Sequence, residues 1–341
     1  MDPFATSKLG NTEVEVTRLG FGGGTLGDPV EAIAQAQADL TVETAYAAGI
    51  GYFDTSPFYG NGKSEHRLGR VLRGKPRDSF ALSTKVGRVY RRPADPASFT
   101  QTRWAGGLPF EWHFDYSRNG VLRSYEDSLM RLGMTSVDAL LIHDLDPRHH
   151  KTEENVAGAL AQLEVGGGYA ALDELRRRGE IGAIGAGINL VGMIPRFLER
   201  FDLDFFLVAM PYTLLDQPAL ADELPLCAER GVSVVIGAVF ASGILAQGPG
   251  EGALYAYRPA ERAEIERTRR LKAVCDRHAV PLIAAALQFP LGHPAVASVI
   301  PGPNSAAQLR ANLRAMRQPI PADLWAELKA AKLIDPAAPT P

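Results

Sequence analysis

The chain has 341 residues, 46% hydrophobic and 22% charged, with a formal net charge of −3; this is the balance of a globular protein, without the cationic excess that nucleic acid or an anionic membrane would require. Its two cysteines, Cys227 and Cys275, are too few for a disulfide framework, lack metal-ligand spacing and read as buried thiols. The opening residues hold no signal-peptide core and no run is apolar enough to span a bilayer, so a cytoplasmic location is expected.

In chain order, residues 8–18 alternate polar and apolar around Gly10-Asn11, which predicts a β-hairpin across one end of the fold. Short β-branched runs then alternate with longer amphipathic ones. The pattern predicts strand over 18–23, helix over 31–48, strand over 51–55, helix over 64–73 and strand over 80–86. A long connection, 87–118, carries Trp104, Phe110, Trp112, Phe114 and Tyr116, and reads as a functional loop over a substrate pocket. Helix 120–132 follows, with Val121, Leu122, Tyr125, Leu129 and Leu132 at helical spacing. Strands over 139–144, 181–187, 204–210, 232–238 and 296–302 then alternate with helices over 156–178, 217–230 and 260–278. A further helix is expected from about Ser305, and 335–341 reads as a disordered tail. Eight nearly all-apolar strands joined by crossover helices predict an α/β fold, a single (β/α)8 TIM barrel over 1–341 with a long loop after strand three.

Gly22-Gly23-Gly24-Thr25-Leu26-Gly27 satisfies a dinucleotide-binding glycine pattern, but Asp28-Pro29 replaces the helix that should open on it. A tight turn at the barrel mouth, where backbone can approach a ligand, is the better reading.

Reactive groups of such barrels project from the C-terminal ends of strands. Asp54, Lys85 and His143 each stand at such an end, and Tyr59 lies five residues beyond Asp54 in TSPFYGNG. A tyrosine hydroxyl with a pKa near 10 is a poor base at neutrality. A lysine ammonium held against it favours the phenolate, and a carboxylate keeps that lysine charged. A neutral imidazole can aim a substrate oxygen at the tyrosine. The four together suit the proton transfer that accompanies hydride transfer at a carbonyl carbon. Asp144, Asp146, His149 and His150 could in principle bind a metal; they share one loop and read as a solvated polar segment, so no metal site is expected.

The runs GIGYFDTSPFYGNGKSEHRLGRVLRG (49–74), STKVGR (83–88), LLIHDLD (140–146) and IPGPNSAAQLRANL (300–313) resemble the aldo-keto reductase family along nearly the whole chain. The resemblance implies a catalytic tetrad of Asp54, Tyr59, Lys85 and His143, with Tyr59 as general acid/base, and a nicotinamide coenzyme across the barrel mouth. It implies coenzyme contacts from Gly23, Thr25, Asp54 and Asn189, from Phe240, Ser242, Gly243 and Leu245, and from Gly302, Asn304, Ser305, Gln308 and Asn312. Tyr59, His143 and Trp112 are the implied substrate contacts. Where many members hold the carboxamide with a Ser-Asn pair and a Gln, this chain has Gly187-Ile188-Asn189 and Val208-Ala209-Met210, leaving Asn189 as amide partner. The runs 54–65, 211–217 and 240–245 resemble a branch of D-threo-aldose (L-fucose) 1-dehydrogenases, L-galactose dehydrogenases and pyridoxal 4-dehydrogenases. That branch implies oxidation of a cyclic hemiacetal to a lactone, Tyr59 acting as base; carbonyl reduction with NADPH is the alternative. Residues 302–308 contain no Lys or Arg for the 2′-phosphate of NADP, and Arg310 falls about 200° around the helix from Gln308, so NAD is the expected coenzyme, with NADP as second choice. A small sugar or aldehyde is the expected partner, with no nucleic acid or membrane.

Overall fold

Successive side chains of a strand point to opposite faces, and here that alternation separates a barrel lumen from a ring of helices. The computed structural model, which describes residues 1–341, opens with an antiparallel hairpin of β1 (Thr6–Lys8) and β2 (Glu15–Thr17). Next come β3 (Phe21–Gly22), β4 (Tyr52–Asp54) and β5 (Ala81–Val86), then a second hairpin, β6 (Arg88–Arg91) and β7 (Glu111–Phe114). They are followed by β8 (Ala139–His143), β9 (Ala183–Ile188), β10 (Phe205–Ala209) and β11 (Ser233–Gly237). A short pair, β12 (Leu254–Tyr255) and β13 (Arg258–Pro259), precedes the last strand, β14 (Val296–Val299).

Eight of these strands form one parallel sheet in the order β3-β4-β5-β8-β9-β10-β11-β14. The sheet closes on itself: Leu19 bridges Val299, the Val299 amide donates to Arg18 O, and the Gly20 amide donates to Val299 O, both at 2.9 Å. The result is the expected eight-stranded β/α barrel. Tyr52, Leu141, Phe205, Leu207, Val235 and Ile300 fill its lower lumen, and Leu9 and Val16 of the hairpin cap it from below. Their neighbours in the strands, such as Phe53, Leu82, Leu140, Ile142 and Phe206, face outward into a larger core shared with the helices.

Most helices follow the sequence pattern. Arg118–Leu132 starts at Ser117, whose side chain accepts from the Gly120 amide, and stops at Gly133 in the left-handed conformation. The single helix expected over 156–178 is two, Glu153–Glu164 and Gly168–Arg177, because Gly167 takes φ +75° between them. Helices at Met193–Leu198 and Leu282–Gln288 escape a periodicity search for different reasons. The first has six residues; the second, LIAAALQ, is buried almost all round and shows no polar face. No helix is long and apolar enough to cross a membrane.

The tail expected to be disordered is instead packed. Ala338 is fully buried beside Leu333 and Ile334 in the outer core, and the Asp335 amide donates to Gln217 Oε1 at 3.2 Å. Apolar side chains that find a surface to cover hold the segment in place. Cys227 and Cys275 are free and buried as expected, and burial pushes their thiols up to about 12 and about 11.

Candidate active site

Tyr52 and Leu141 point into the lumen, so period-two alternation sends Asp54 and His143 inward as well, at the strand ends. Lys85 enters from β5, whose register sets Ser83 opposite Asp54. Its ammonium donates to Asp54 Oδ2 at 2.7 Å and to Thr55 O at 2.8 Å. Ser83 Oγ donates to the other Asp54 oxygen at 2.8 Å and meets the Tyr52 hydroxyl at 3.0 Å. All of these groups are buried. Burial draws the Asp54 pKa up and the Lys85 pKa down, and the 2.7 Å ion pair opposes both shifts.

Tyr59 stands over this pair, half-buried, with the Lys85 ammonium 4.7 Å from its ring centroid and the His143 ring centroid 6.0 Å away. The four residues singled out in the sequence therefore converge. A lowered tyrosine pKa is not what this state holds: the net shift is upward despite the nearby Lys85 charge. Burial holds the hydroxyl well above its usual 10, Asp54, Tyr257 and Asp144 add to the effect, and Arg88 supplies the opposing charge. Lys85 spends its hydrogen bonds on Asp54 and Thr55 and meets Tyr59 at the ring, not the hydroxyl.

His143 is held at Nδ1 by Ser56 Oγ at 3.0 Å and Arg88 Nη1 at 3.2 Å. Burial puts its pKa well below the usual histidine range; Asp144 opposes this, while Arg88 and Lys85 reinforce it. The imidazole is neutral at pH 7, as the acid–base scheme requires.

Arg88 is the residue that strand logic misses. Alternation from Lys85 would place it outside the lumen, but Gly87 at φ +111° breaks the strand and turns the next side chain back in. There the guanidinium, 2% exposed, pairs with Asp144 Oδ2 at 2.8 Å and lies against Phe58, Trp112 and Phe114. The solvated loop expected at 144–150 is corrected accordingly: Asp144 and Asp146 are buried. Although burial pushes the Asp144 carboxyl up, the charges facing it, the Arg88 guanidinium at 2.8 Å among them, hold it below the carboxylate range. Asp144, Asp146 and His149 lie within 4.8 Å of one another, with Arg88 and His149 on Asp144 and with His149 on Asp146.

The long connection forms one wall. It is not a free loop: β6 and β7 pair along it, Asn61 Nδ2 donates to Leu108 O at 3.0 Å, and Lys63 Nζ donates to Gly106 O at 2.7 Å. Trp104, 5% exposed, sets its ring 6.2 Å from Tyr59 and 5.1 Å from Phe58. Trp112, the aromatic favoured from the sequence, sits one step further out, 5.7 Å from Phe58 and 37% exposed. Tyr257, between β12 and β13, gives its amide to Ser242 Oγ at 2.9 Å, and Arg148 lies over its ring.

The expected coenzyme positions line the same mouth with mixed roles. Gly23 opens a single-turn helix, Gly23–Gly27, and a Cβ added at the neighbouring Gly24 would meet only Tyr59, at 4.0 Å. Thr25 Oγ1 donates to Pro303 O at 3.0 Å, tying this turn to the exposed Gly302. Asn189 gives one amide N–H to Asp144 Oδ1 at 3.0 Å, which leaves its second N–H and its carbonyl free. Phe240 precedes a turn in which Ala241, Ser242 and Gly243 all have positive φ. Leu245 is fully buried, and its amide donates to Phe240 O at 3.2 Å. Ser305 caps helix Ala306–Arg317, and Gln308 Oε1 accepts from the Asn304 amide at 2.9 Å. Asn312 is 3% exposed, yet its side chain makes no hydrogen bond within the chain.

The model of the aldo/keto reductase family matches residues 18–332. The chain is 42% identical to a pyridoxal 4-dehydrogenase of Microbacterium luteolum, over 96% of this chain and 97% of that protein. It is 39% identical to a D-threo-aldose 1-dehydrogenase of a Pseudomonas species, over 96% of each. Among solved structures it superposes on the holo form of aldo-keto reductase AKR11C1 from Bacillus halodurans with a TM-score of 0.72, at 26% identity and 98% coverage of both chains.

Proposed function

The chain belongs to the aldo/keto reductase family, and from that premise we propose that it is an NAD-dependent dehydrogenase that oxidises the anomeric hydroxyl of an aldose to a lactone. The observation that carries the reading is the convergence of Asp54, Lys85, Tyr59 and a neutral His143 at one barrel mouth. Tyr59 takes the hydroxyl proton as the C–H bond at the same carbon breaks. The neutral imidazole of His143 hydrogen-bonds the reacting oxygen and orients it. Lys85, fixed by Asp54, supplies the positive charge that stabilises the phenolate as it forms.

The residues present fit a nicotinamide dinucleotide. Asn312 is buried with an unused side-chain amide, Gly24 leaves open space beside Tyr59, and Ser242 and Gly243 expose a turn of left-handed backbone at the mouth. Gly302, Asn304, Ser305 and Gln308 would hold the adenosine end, where the stretch 302–308 has no cation. That stretch favours NAD over NADP. When bound, the coenzyme supplies the hydride acceptor.

A second reading, pyridoxal as substrate, is favoured by the 42% identical relative. The aromatic wall of Phe58, Trp104 and Trp112 suits a pyridine ring as well as the apolar side of a pyranose. Coenzyme reduction measured with aldoses and pyridoxal, each with NAD and NADP, tests the proposal. Turnover is expected with an aldose and a higher kcat/KM with NAD. Pyridoxal as the better substrate would replace the sugar; activity confined to NADPH and simple aldehydes would replace the dehydrogenase reading.

A further inference from the structure

We propose that Arg88 is a positioning residue that fixes His143 as its Nε2–H tautomer, so that a hydrogen-bond donor faces the substrate oxygen; the inference rests on the dehydrogenase reading above. A guanidinium carries donors and no acceptor. With Arg88 Nη1 3.2 Å from His143 Nδ1, that nitrogen has to accept, and a neutral imidazole then carries its proton on Nε2. Ser56 Oγ, 3.0 Å from the same Nδ1, already accepts from the Phe58 amide at 3.1 Å, and its own proton can be given or withheld. Ser56 can serve either tautomer. Arg88 can serve one.

The arginine is itself held for this purpose. Asp144 Oδ2 takes its Nη2 at 2.8 Å, and Asn189 fixes the other Asp144 oxygen at 3.0 Å. Phe58, Trp112 and Phe114 approach the guanidinium carbon to 4.0, 4.7 and 4.6 Å and cover its faces. Its Nε is buried without a partner, a cost tolerated while the two terminal nitrogens stay aimed at Asp144 and His143. The other ionisable groups around the imidazole are Lys85, Asp144, His149 and Tyr59. Of these, Asp144 Oδ1 lies 3.5 Å from Nε2 and attracts a proton there, so it favours the same tautomer.

The test reads the tautomer directly, in coenzyme-free protein labelled with 15N-histidine, by long-range 1H–15N spectra at about pH 7, with His143 assigned from H143Q. Wild type should show a protonated Nε2 and a bare Nδ1. R88M, which removes every donor, should show mixed tautomers and lose about 10- to 100-fold in kcat, with substrate KM and coenzyme affinity little changed. R88K, which restores a cationic donor group at a single nitrogen, should recover part of both. A wild-type His143 protonated on Nδ1 overturns the proposal, as does a folded R88M with wild-type tautomer and kcat. Should R88M fail to fold, the wild-type spectrum and R88K still decide. The spectra need no substrate, so they stand apart from a failure of the sugar assays.

Discussion

Lys85 meets Tyr59 through the tyrosine ring, its ammonium 4.7 Å from the ring centroid, while its hydrogen bonds go to Asp54 Oδ2 and Thr55 O. The lysine thus acts on the tyrosine by its charge and leaves the hydroxyl free: no group of the chain hydrogen-bonds the Tyr59 oxygen. A hydroxyl without a protein partner is available to a substrate. Tyr59→Phe, which deletes only that oxygen, should lower kcat by about 10²–10⁴ and leave coenzyme affinity unchanged. Near-normal turnover would remove Tyr59 from the chemistry.

Lys85→Met should act on both rate and stability. The Tyr59 pKa already lies above its usual value, and losing a nearby cation moves it further up. Oxidation uses the phenolate, so the rise of kcat with pH should shift to higher pH. The substitution also strands Asp54, 2% exposed, in the barrel, a cost of about 3–5 kcal/mol. Adding Asp54→Asn should return much of the lost Tm without restoring activity. An unchanged pH profile would mean that Lys85 and Tyr59 are not coupled.

Trp104 tests the wall. It lies closer to Tyr59 than Trp112 does to any tetrad residue by ring contact, and it packs edge-on against Phe58. Trp104→Ala should raise substrate KM by about tenfold or more, consistent with loss of an aromatic contact. Trp112→Ala should have a smaller effect, and coenzyme KM should stay constant in both. Equal changes in both KM values would make this wall a structural support only.

His143 leaves a signature in stability. Its folded pKa lies well below the unfolded value of about 6.5, so the unfolded chain binds the extra proton first as pH falls. Its contribution is complete above about pH 6.5 and is lost as pH drops toward the folded pKa. His66, His150 and His293 are depressed in the same direction, so the reading is a difference. Urea midpoints between about pH 7 and 5 should fall less steeply in His143→Gln than in wild type. Parallel slopes would show that the imidazole is not held neutral.

The barrel and the four convergent residues were legible because both rest on local rules: strand–helix alternation gives the topology, and strand ends give the mouth. Arg88 was hidden by Gly87, whose positive φ resets the alternation that would have turned the arginine outward. Asp144 and Asp146 look like a solvated loop in sequence, since charged neighbours usually are; only the fold supplies the buried cation that pairs one of them. Trp112 stood out in the sequence among many aromatics, whereas the priority of Trp104 depends on backbone hydrogen bonds between segments about 45 residues apart. The full burial of Leu245 comes from packing that periodicity does not encode.

Asn61 and Lys63, which pin the wall at Leu108 and Gly106, stand two and four positions after Tyr59 on the same turn. Lys63 also reaches Asp28, which Arg67 grips at 2.6 Å, so the pins are themselves braced against the first loop of the barrel. Anyone transplanting the 92–110 segment from a relative to change the substrate would therefore have to move residues 61–63 with it, or match the carbonyls they grasp. Tyr59 and the mooring of the 92–110 segment are, in this chain, one cassette.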